Sequence, residues 1–450
     1  MAEQSESILT QERENIQKQY LKPLQENVQL QERRFQEDGK RSRFDGEYQR
    51  DYTRILYSSS FRRLQGKMQL FEIQSDQFIR NRLTHSLEVA QIAKSIATEI
   101  GYSSKELYVV EACALAHDIG NPGYGHAGER FLNEISKEFG GFEGNAQTMR
   151  ILTTVEQKRG DFQGLNLTYR TLLGILKYYN KYDASLTGKA FEKQKFIYDN
   201  DYEFIQEIVR KTNVSLRTLD VQIVDIADEI AYAAHDLEDG LRIGNLNVDE
   251  VLHDFCNLTS DKESKEKLEK IFSESKNRAG FKNRGIESAE YSKLYRKEIT
   301  SRIIFTLIND IGIVKLTDEQ KKKRGTVHEE ELGFVHYGEL ASGLKSTIYK
   351  CVTNNDRVYA YENEGRYMMK ALFDFYCEES RYLPSEYRAD NIFRQYSTFY
   401  EGQDKEQIQK RLIIDYISGM MDEYLKHVYG KLKDTMRQSQ EIGRKNEKNE

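Results

Sequence analysis

The chain has 450 residues, 67 Lys and Arg against 73 Asp and Glu, and a net charge of −6, which excludes a strongly basic protein built to coat nucleic acid. Its apolar content is only 38%, yet 29 Tyr and 21 Phe supply enough large buryable surface to exclude a disordered chain. The four cysteines, Cys113, Cys256, Cys351 and Cys377, form no CxxC pair, which excludes a thiolate zinc site and a disulfide framework and fits a reducing cytoplasm.

The first residues, MAEQSESILTQERENIQ, lack the apolar core of a signal peptide, and no long apolar run follows. Cytoplasmic localisation without membrane attachment is expected. Residues 1–44 are rich in Gln, Glu, Arg and Lys, with Leu21, Leu24 and Leu30 as the few apolar anchors, and read as a solvated, partly helical arm. From residue 45 the pattern turns amphipathic, with Tyr48, Tyr52, Ile55, Leu56, Phe61 and Leu64 near helical spacing. Residues 83–100 repeat Leu87, Ile92, Ile96 and Ile100 with Ala between, and residues 105–119 form a second helix whose last turn carries His117 and Asp118. A glycine-rich turn opens at Gly120, Gly123, Gly125 and Gly128. Further helices are predicted over 168–180, 201–213, 221–244, 301–315, 356–376 and 405–435, with charged surface helices over 259–300. Strand signals are confined to a short hairpin over 325–337. With only three prolines to break helices, the predicted fold is all-α. Its predicted parts are an arm (1–44), a catalytic core (45–255), a C-terminal helical region packing on that core (256–435) and a disordered tail (436–450).

Chemistry concentrates in the core. Of eight histidines, His85, His117 and His126 lie close in sequence, each beside other polar groups. His117-Asp118 follows an apolar run, and two adjacent ionisable groups at the end of a buried helix are costly unless paired or metal-bound. His85, His117 and Asp118 with a carboxylate from residues 221–240 make a mixed N/O set suited to Mn, Fe, Co, Ni, Zn or hydrated Mg. Asp228, Tyr232 and Asp236 fall at i, i+4 and i+8 on one helix face, so Asp228 is the preferred fourth group and Asp225 its rival. His126 and Glu129 are three residues apart, which lets the carboxylate orient the imidazole as a proton donor near neutral pH. Arg82 precedes His85 by one turn and can share its cavity; Arg62, Arg63, Lys67 and Arg80 suit a phosphate pocket or a basic surface equally. Taken singly, each group also fits a bland role: a helix-end His, a solvated acidic face, a core Tyr. Their joint occurrence on three helices is what points to a metal centre.

In that order, His85, His117-Asp118 and Asp228 resemble the HD-domain phosphohydrolases. Longer stretches resemble the deoxyguanosine triphosphate triphosphohydrolases among them: FRRLQGKMQLF (61–71), RNRLTHSLEVAQIAKSIATEI (80–100), HDIGNPGYGHAGERF (117–131), FEGNAQ (142–147), GILKYY (174–179), ADEIAYAAHDLEDG (227–240) and RVYAYENEGRYMMKALFDFY (357–376). The resemblance implies a helical HD core and hydrolysis of dGTP, or another dNTP, to deoxynucleoside and intact triphosphate. It implies one divalent metal, Mn or Mg first, held by His85, His117, Asp118 and Asp228, with His126 and Glu129 as the catalytic pair. Arg82 and Tyr232 would contact phosphates, Asp236 and Gln65 the sugar, and Asn145 the α-phosphate. A homo-oligomer, commonly a hexamer, and a single-stranded DNA effector are implied as well. Pro122-Gly123-Tyr124 stands where the family usually has Pro-Pro-Phe, implying a more flexible loop. Asn121, usual in the dGTP branch, stands where broader relatives have a further His, implying a mononuclear centre. Two other readings remain: an HD phosphohydrolase of another nucleotide, and a single-stranded nucleic-acid-binding protein with a regulatory HD site, suggested by Lys321-Lys322-Lys323-Arg324 and the Lys-rich 262–296 region.

Overall fold

The computed structural model describes residues 7–36, 46–71, 77–281, 285, 287–353, 356–396 and 400–433, so the tail expected over 436–450 lies outside the described residues. Helices dominate them, as the sparse prolines permit. None is long and apolar enough to cross a membrane. Three helices meet at the centre. Arg82–Ile100 starts at a reciprocal cap between Asn81 and Thr84 and stops at Gly101, whose φ of +103° is the left-handed ending that favours glycine. Ser104–Ala116 is capped by Ser103 with Glu106, and Leu219–Ala231 packs against both. Ala93, Ala97, Ala112, Ala114, Ala227 and Ala231 are fully buried, and their small side chains let the three axes approach closely. The inward face of the first helix differs from the expected one: Leu87 is 47% exposed, and Val89 and Ala93 take the inward positions with Ile92, Ile96 and Ile100.

The segment expected as one helix over 221–244 is a single rod interrupted by a π turn, Tyr232–Asp236, between Leu219–Ala231 and Leu237–Arg242. Two expectations are corrected. The N-terminal arm is not solvated: helix Ile8–Ile16 and the turns after it bury Leu9, Ile16, Leu21, Leu24 and Leu30 in the main core, and Gln17 Nε2 donates to the Ile100 carbonyl at 2.6 Å. Its polar composition hid a thin apolar stripe. The hairpin is also displaced. Strand Glu330–Phe334 lies where expected, but it pairs antiparallel with Ile311–Lys315, a stretch read as helix, with Ile313 opposite Leu332. The preceding helix ends at Asn309 because the Asp310 carboxylate turns back to accept the backbone N–H groups of His336 and Tyr337, and the β-branched Ile311-Gly-Ile-Val run continues as strand.

A second core gathers Met368, Met369 and Leu372 of helix Asp356–Glu378 and Ile413, Ile414 and Ile417 of helix Lys405–Ser418 around Tyr124, Phe131 and Phe142. Asp415 ties it to helix Gly144–Arg150 by accepting a bidentate pair from Arg150, at 2.9 and 2.7 Å, and the Gln147 amide at 2.9 Å.

Within the main core, Arg170 is 1% exposed and donates to Asp220 at 3.0 and 3.1 Å and to Glu106 at 2.8 Å, joining three helices through one guanidinium. Removing one partner of such a buried network strands the others. Arg170→Met is expected to destabilise the fold by about 3–5 kcal/mol, read as a lower urea midpoint; an unchanged midpoint would contradict this role.

Candidate metal centre

The three central helices deliver four ionisable groups to one point. Asp228 Oδ1 lies 3.1 Å from His85 Nε2 and 3.5 Å from His117 Nε2, and His117 Nε2 lies 3.6 Å from Asp118 Oδ1. His85, His117 and Asp118 each offer a ligand atom within 4.8 Å of the others, the one such group of three or more among the described residues. His117 sits at the C-terminus of its helix, where its Nδ1 faces the Ala114 carbonyl at 2.6 Å. That bond fixes the tautomer and leaves the Nε2 lone pair pointing into the cluster. There Nε2 is buried with no hydrogen-bond partner. A bare imidazole nitrogen beside two buried carboxylates is what a divalent cation fills, so the residues present fit the metal.

The carboxylates are compensated from outside. Arg82 Nη1 donates to Asp118 Oδ2 at 2.6 Å, and Lys177 Nζ approaches Asp228 Oδ2 at 3.5 Å. Burial works against both charges, but Arg82 and the two histidines hold Asp118 below its usual range, and His117, His85 and Lys177 hold Asp228 well below it. For His117 burial opposes the proton, while Asp118 and Asp228 outweigh it and raise the pKa to about 9. Asp225, the rival for the fourth position, is committed elsewhere: it accepts Arg217 at 2.5 Å and faces Lys177 at 3.2 Å.

The glycine-rich turn leads from Asp118 to His126. A Cβ on Gly120 would stand 2.2 Å from the Gly144 carbonyl oxygen and the Thr148 nitrogen, so no side chain fits there. Tyr124, at φ +58°, and Gly125, at φ +56°, both adopt left-handed backbone and start helix Gly125–Ile135. Tyr124 itself is fully buried, with its hydroxyl 3.4 Å from the Asp422 carbonyl, so the ring that stands in place of Phe is packed. His126 is solvent-facing, and its Nδ1 meets Glu129 Oε2 at 3.3 Å. Glu129 Oε1 accepts the Gly144 N–H at 3.0 Å and lies 3.8 Å from Lys195 Nζ. Although burial disfavours its charge, these partners keep Glu129 far below the ordinary carboxylate range.

The other expected contacts divide. Tyr232 lies beside His85, ring centroids 5.2 Å apart, with Lys345 Nζ 4.1 Å above its ring. Asp236 is buried, and desolvation together with Asp239 pushes its carboxyl well above its usual pKa. Asn145 lines a small cavity with His117, Lys177, Asp225 and Asp228, while its amide donates to Glu143 at 2.8 Å. Gln65 is exposed, and its backbone carbonyl accepts Asn81 at 3.0 Å; its side chain is not brought to the cluster. Arg80 is paired with Glu88, Glu238 and Asp239, so it belongs to a structural network and not to a phosphate pocket. His235 lies 3.0 Å from Glu88, the carboxylate that also pairs with Arg80.

The sequence reading missed a set of lysines. Lys177 stands at the metal cluster and Lys195 at the His126–Glu129 pair, and Lys323 is lowered in pKa by burial and by the charges of Lys195, Lys177 and Lys345. Lys177 sits in the GILKYY block, which could have exposed it. Lys323 could not be foreseen: helix Asp318–Arg324 reaches the site because Asn180 caps the carbonyls of Lys322 and Lys323. Within that basic run Lys321 is paired with Glu329 and Arg324 with Glu331, while Lys322 and Lys323 are exposed.

A helical core that places His, His-Asp and Asp on three helices around a metal site defines the HD phosphohydrolases. Accordingly, the HD domain family matches residues 82–233, and the phosphohydrolase-associated domain family matches residues 337–431. The chain is 41% identical to deoxyguanosinetriphosphate triphosphohydrolase-like protein 2 of Vibrio cholerae, covering 90% of this chain and 94% of that one. It is 32% identical to a deoxyguanosinetriphosphate triphosphohydrolase-like protein of Shewanella sediminis, covering 87% and 93% of the two chains, and 33% identical to one of Deinococcus radiodurans, covering 85% and 91%. The chain belongs to this HD-domain family of deoxyguanosinetriphosphate triphosphohydrolase-like proteins and is a metal-dependent phosphohydrolase.

Since His117 must lose its proton to accept a metal, divalent-ion affinity measured by titration calorimetry is expected to rise about tenfold per pH unit and to level off near pH 9. A pH-independent affinity between pH 6.5 and 9 would contradict the inward-facing Nε2.

Proposed function

We propose that the protein hydrolyses deoxynucleoside triphosphates, dGTP foremost, to deoxynucleoside and intact triphosphate. The observation that carries this reading is the line of lysines joining two separate pieces of chemistry. Lys177 touches the metal cluster, Lys195 touches the His126–Glu129 pair, and Lys323 and Lys345 extend the same positive field. Lys177 is paired with Asp225 and Asp228 and Lys195 with Glu143 and Glu129, so both ammonium groups are held in place beside the two pieces of chemistry, and a triphosphate chain reaching both brings its α-phosphorus between metal and proton donor. The preference for guanine rests on the names of the relatives.

In this reading His85, His117, Asp118 and Asp228 hold one divalent ion, Mn or Mg. When bound, that ion polarises the α-phosphate and eases deprotonation of the attacking water. Water adds to the α-phosphorus as the bond to the 5′-oxygen breaks, and His126 delivers the proton that the leaving oxygen needs. Glu129, fixed by the Gly144 N–H, accepts the Nδ1–H of His126 and orients the ring, so the proton delivered is the one on the outward Nε2 of the imidazolium. Arg82, Lys177 and Lys195 offset charge as it builds on the phosphate chain. Asn145 sits by the α-phosphate, and Tyr232 bounds the phosphate side. Asp236, buried and with its carboxyl pushed well above its usual pKa by desolvation and by Asp239, faces the sugar together with Gln65.

Incubation with each of the four dNTPs and Mn or Mg is expected to release triphosphate, identified by chromatography; stepwise loss of single phosphates would overturn the reading. His126→Ala is expected to lower kcat about 10²–10⁴-fold with bound metal unchanged. Asp228→Ala is expected to lose metal, and full retention by elemental analysis would transfer the fourth ligand to Asp225.

A further inference from the structure

The first part of the turn that leads to His126 is held beside the metal cluster, with the Gly120 N–H donating to Thr148 and the Asn121 amide to Asp118, while its second part is held by the C-terminal region. Asp422 is 2% exposed at the start of helix 422–433. Its Oδ1 accepts the Tyr124 N–H at 3.1 Å; its Oδ2 accepts the Met68 N–H at 3.1 Å and the Tyr361 hydroxyl at 3.0 Å. The residue it grips, Tyr124, has left-handed backbone two positions before His126, a conformation that persists only where the surroundings enforce it. The seat is closed on every side. A Cβ on Gly123 would stand 2.6 Å from Asp422 Oδ1, and one on Gly365 would stand 2.2 Å from the Tyr124 ring. Lys67, buried to 2%, makes the parallel joint, donating to the Asn121 carbonyl at 2.6 Å and the Ser418 carbonyl at 2.8 Å. Both ends of the turn between Asp118 and His126 are thus fastened to residues 418–422.

We infer that Asp422 is a positioning residue for His126: residues of the associated domain set where the proton donor stands, while the HD helices alone set the metal. The inference rests on the proposed role of His126. It explains why a strained, non-glycine residue is tolerated at Tyr124, and why a carboxylate is buried there to receive three donors. Metal binding and proton delivery then become separable, because they hang on different parts of the chain.

The test uses the full chain with Asp422→Asn, which removes the charge and offers an amide N–H toward backbone donors, and Gly123→Ala, which pushes the same joint from its other side. For each, bound Mn, KM and kcat for dNTP, and hydrogen exchange of residues 120–128 are measured. The expected pattern is unchanged metal content, KM within threefold of wild type, kcat lower by on the order of 100-fold, as about 1 Å of misplacement costs, and faster exchange confined to 120–128. If kcat stays within threefold in either folded variant, or if metal content and KM fail together with kcat, the positioning role is overturned. Should the wild-type chain turn over no dNTP, the proposed function fails; the exchange and metal measurements still decide the clamp, which is lost if 120–128 keeps wild-type protection in both variants.

Discussion

Two carboxylates buried at one point, Asp118 and Asp228, set the terms for the rest of this molecule. Their mutual repulsion and lost hydration would unfold the centre without compensating cations. Arg82 at 2.6 Å from Asp118 and Lys177 at 3.5 Å from Asp228 supply part of that compensation. His85 and His117, both within 3.6 Å of a carboxylate, supply the rest. A proton on His117 offsets the same carboxylates that a divalent metal would, so metal binding displaces that proton. The helix crossings follow from this. The alanine-lined contacts of the three central helices bring Asn81-capped, Ser103-capped and Asp228-bearing elements close enough for four short side chains to meet.

The proposed catalytic pair obeys a different constraint. In the proposed reaction His126 needs solvent-facing freedom to reach a leaving oxygen, yet its position must be reproducible. Glycine at position 120, where any Cβ would strike backbone, and left-handed backbone at Tyr124 and Gly125 bend the chain back over the second core. Fixation therefore comes from Asp422, Lys67 and the packed ring of Tyr124, not from the helix in which His126 sits. The site is made where two hydrophobic cores touch.

Much of the metal site was legible because its signals are local and typed: an HD pair after an apolar run, a His one turn after a cap, an acidic residue on a helix of known face. What escaped was long-range. The N-terminal arm buries Leu9 and Ile16 although its composition is polar, because a narrow stripe suffices when it meets a large apolar face. Strand Ile311–Lys315 reads as the tail of an apolar helix until Asp310 is seen capturing the N–H groups of residues 336 and 337. The i, i+4, i+8 stripe from Asp228 to Asp236 assumed a regular helix, whereas the chain inserts a π turn at Tyr232, a device frequent at functional sites. Lys323 comes into the field of Lys195, Lys177 and Lys345 through tertiary capping by Asn180, which no spacing in sequence announces.

The central claim is that the metal cluster and His126 act on one phosphorus atom, the α. Hydrolysis of dGTP in heavy-oxygen water, followed by mass spectrometry of both products, tests it most directly. The account predicts one heavy oxygen in the triphosphate and none in the deoxyguanosine, since water joins phosphorus and the sugar oxygen leaves. Label in the nucleoside, or label in single phosphate with a nucleoside diphosphate as co-product, would contradict it.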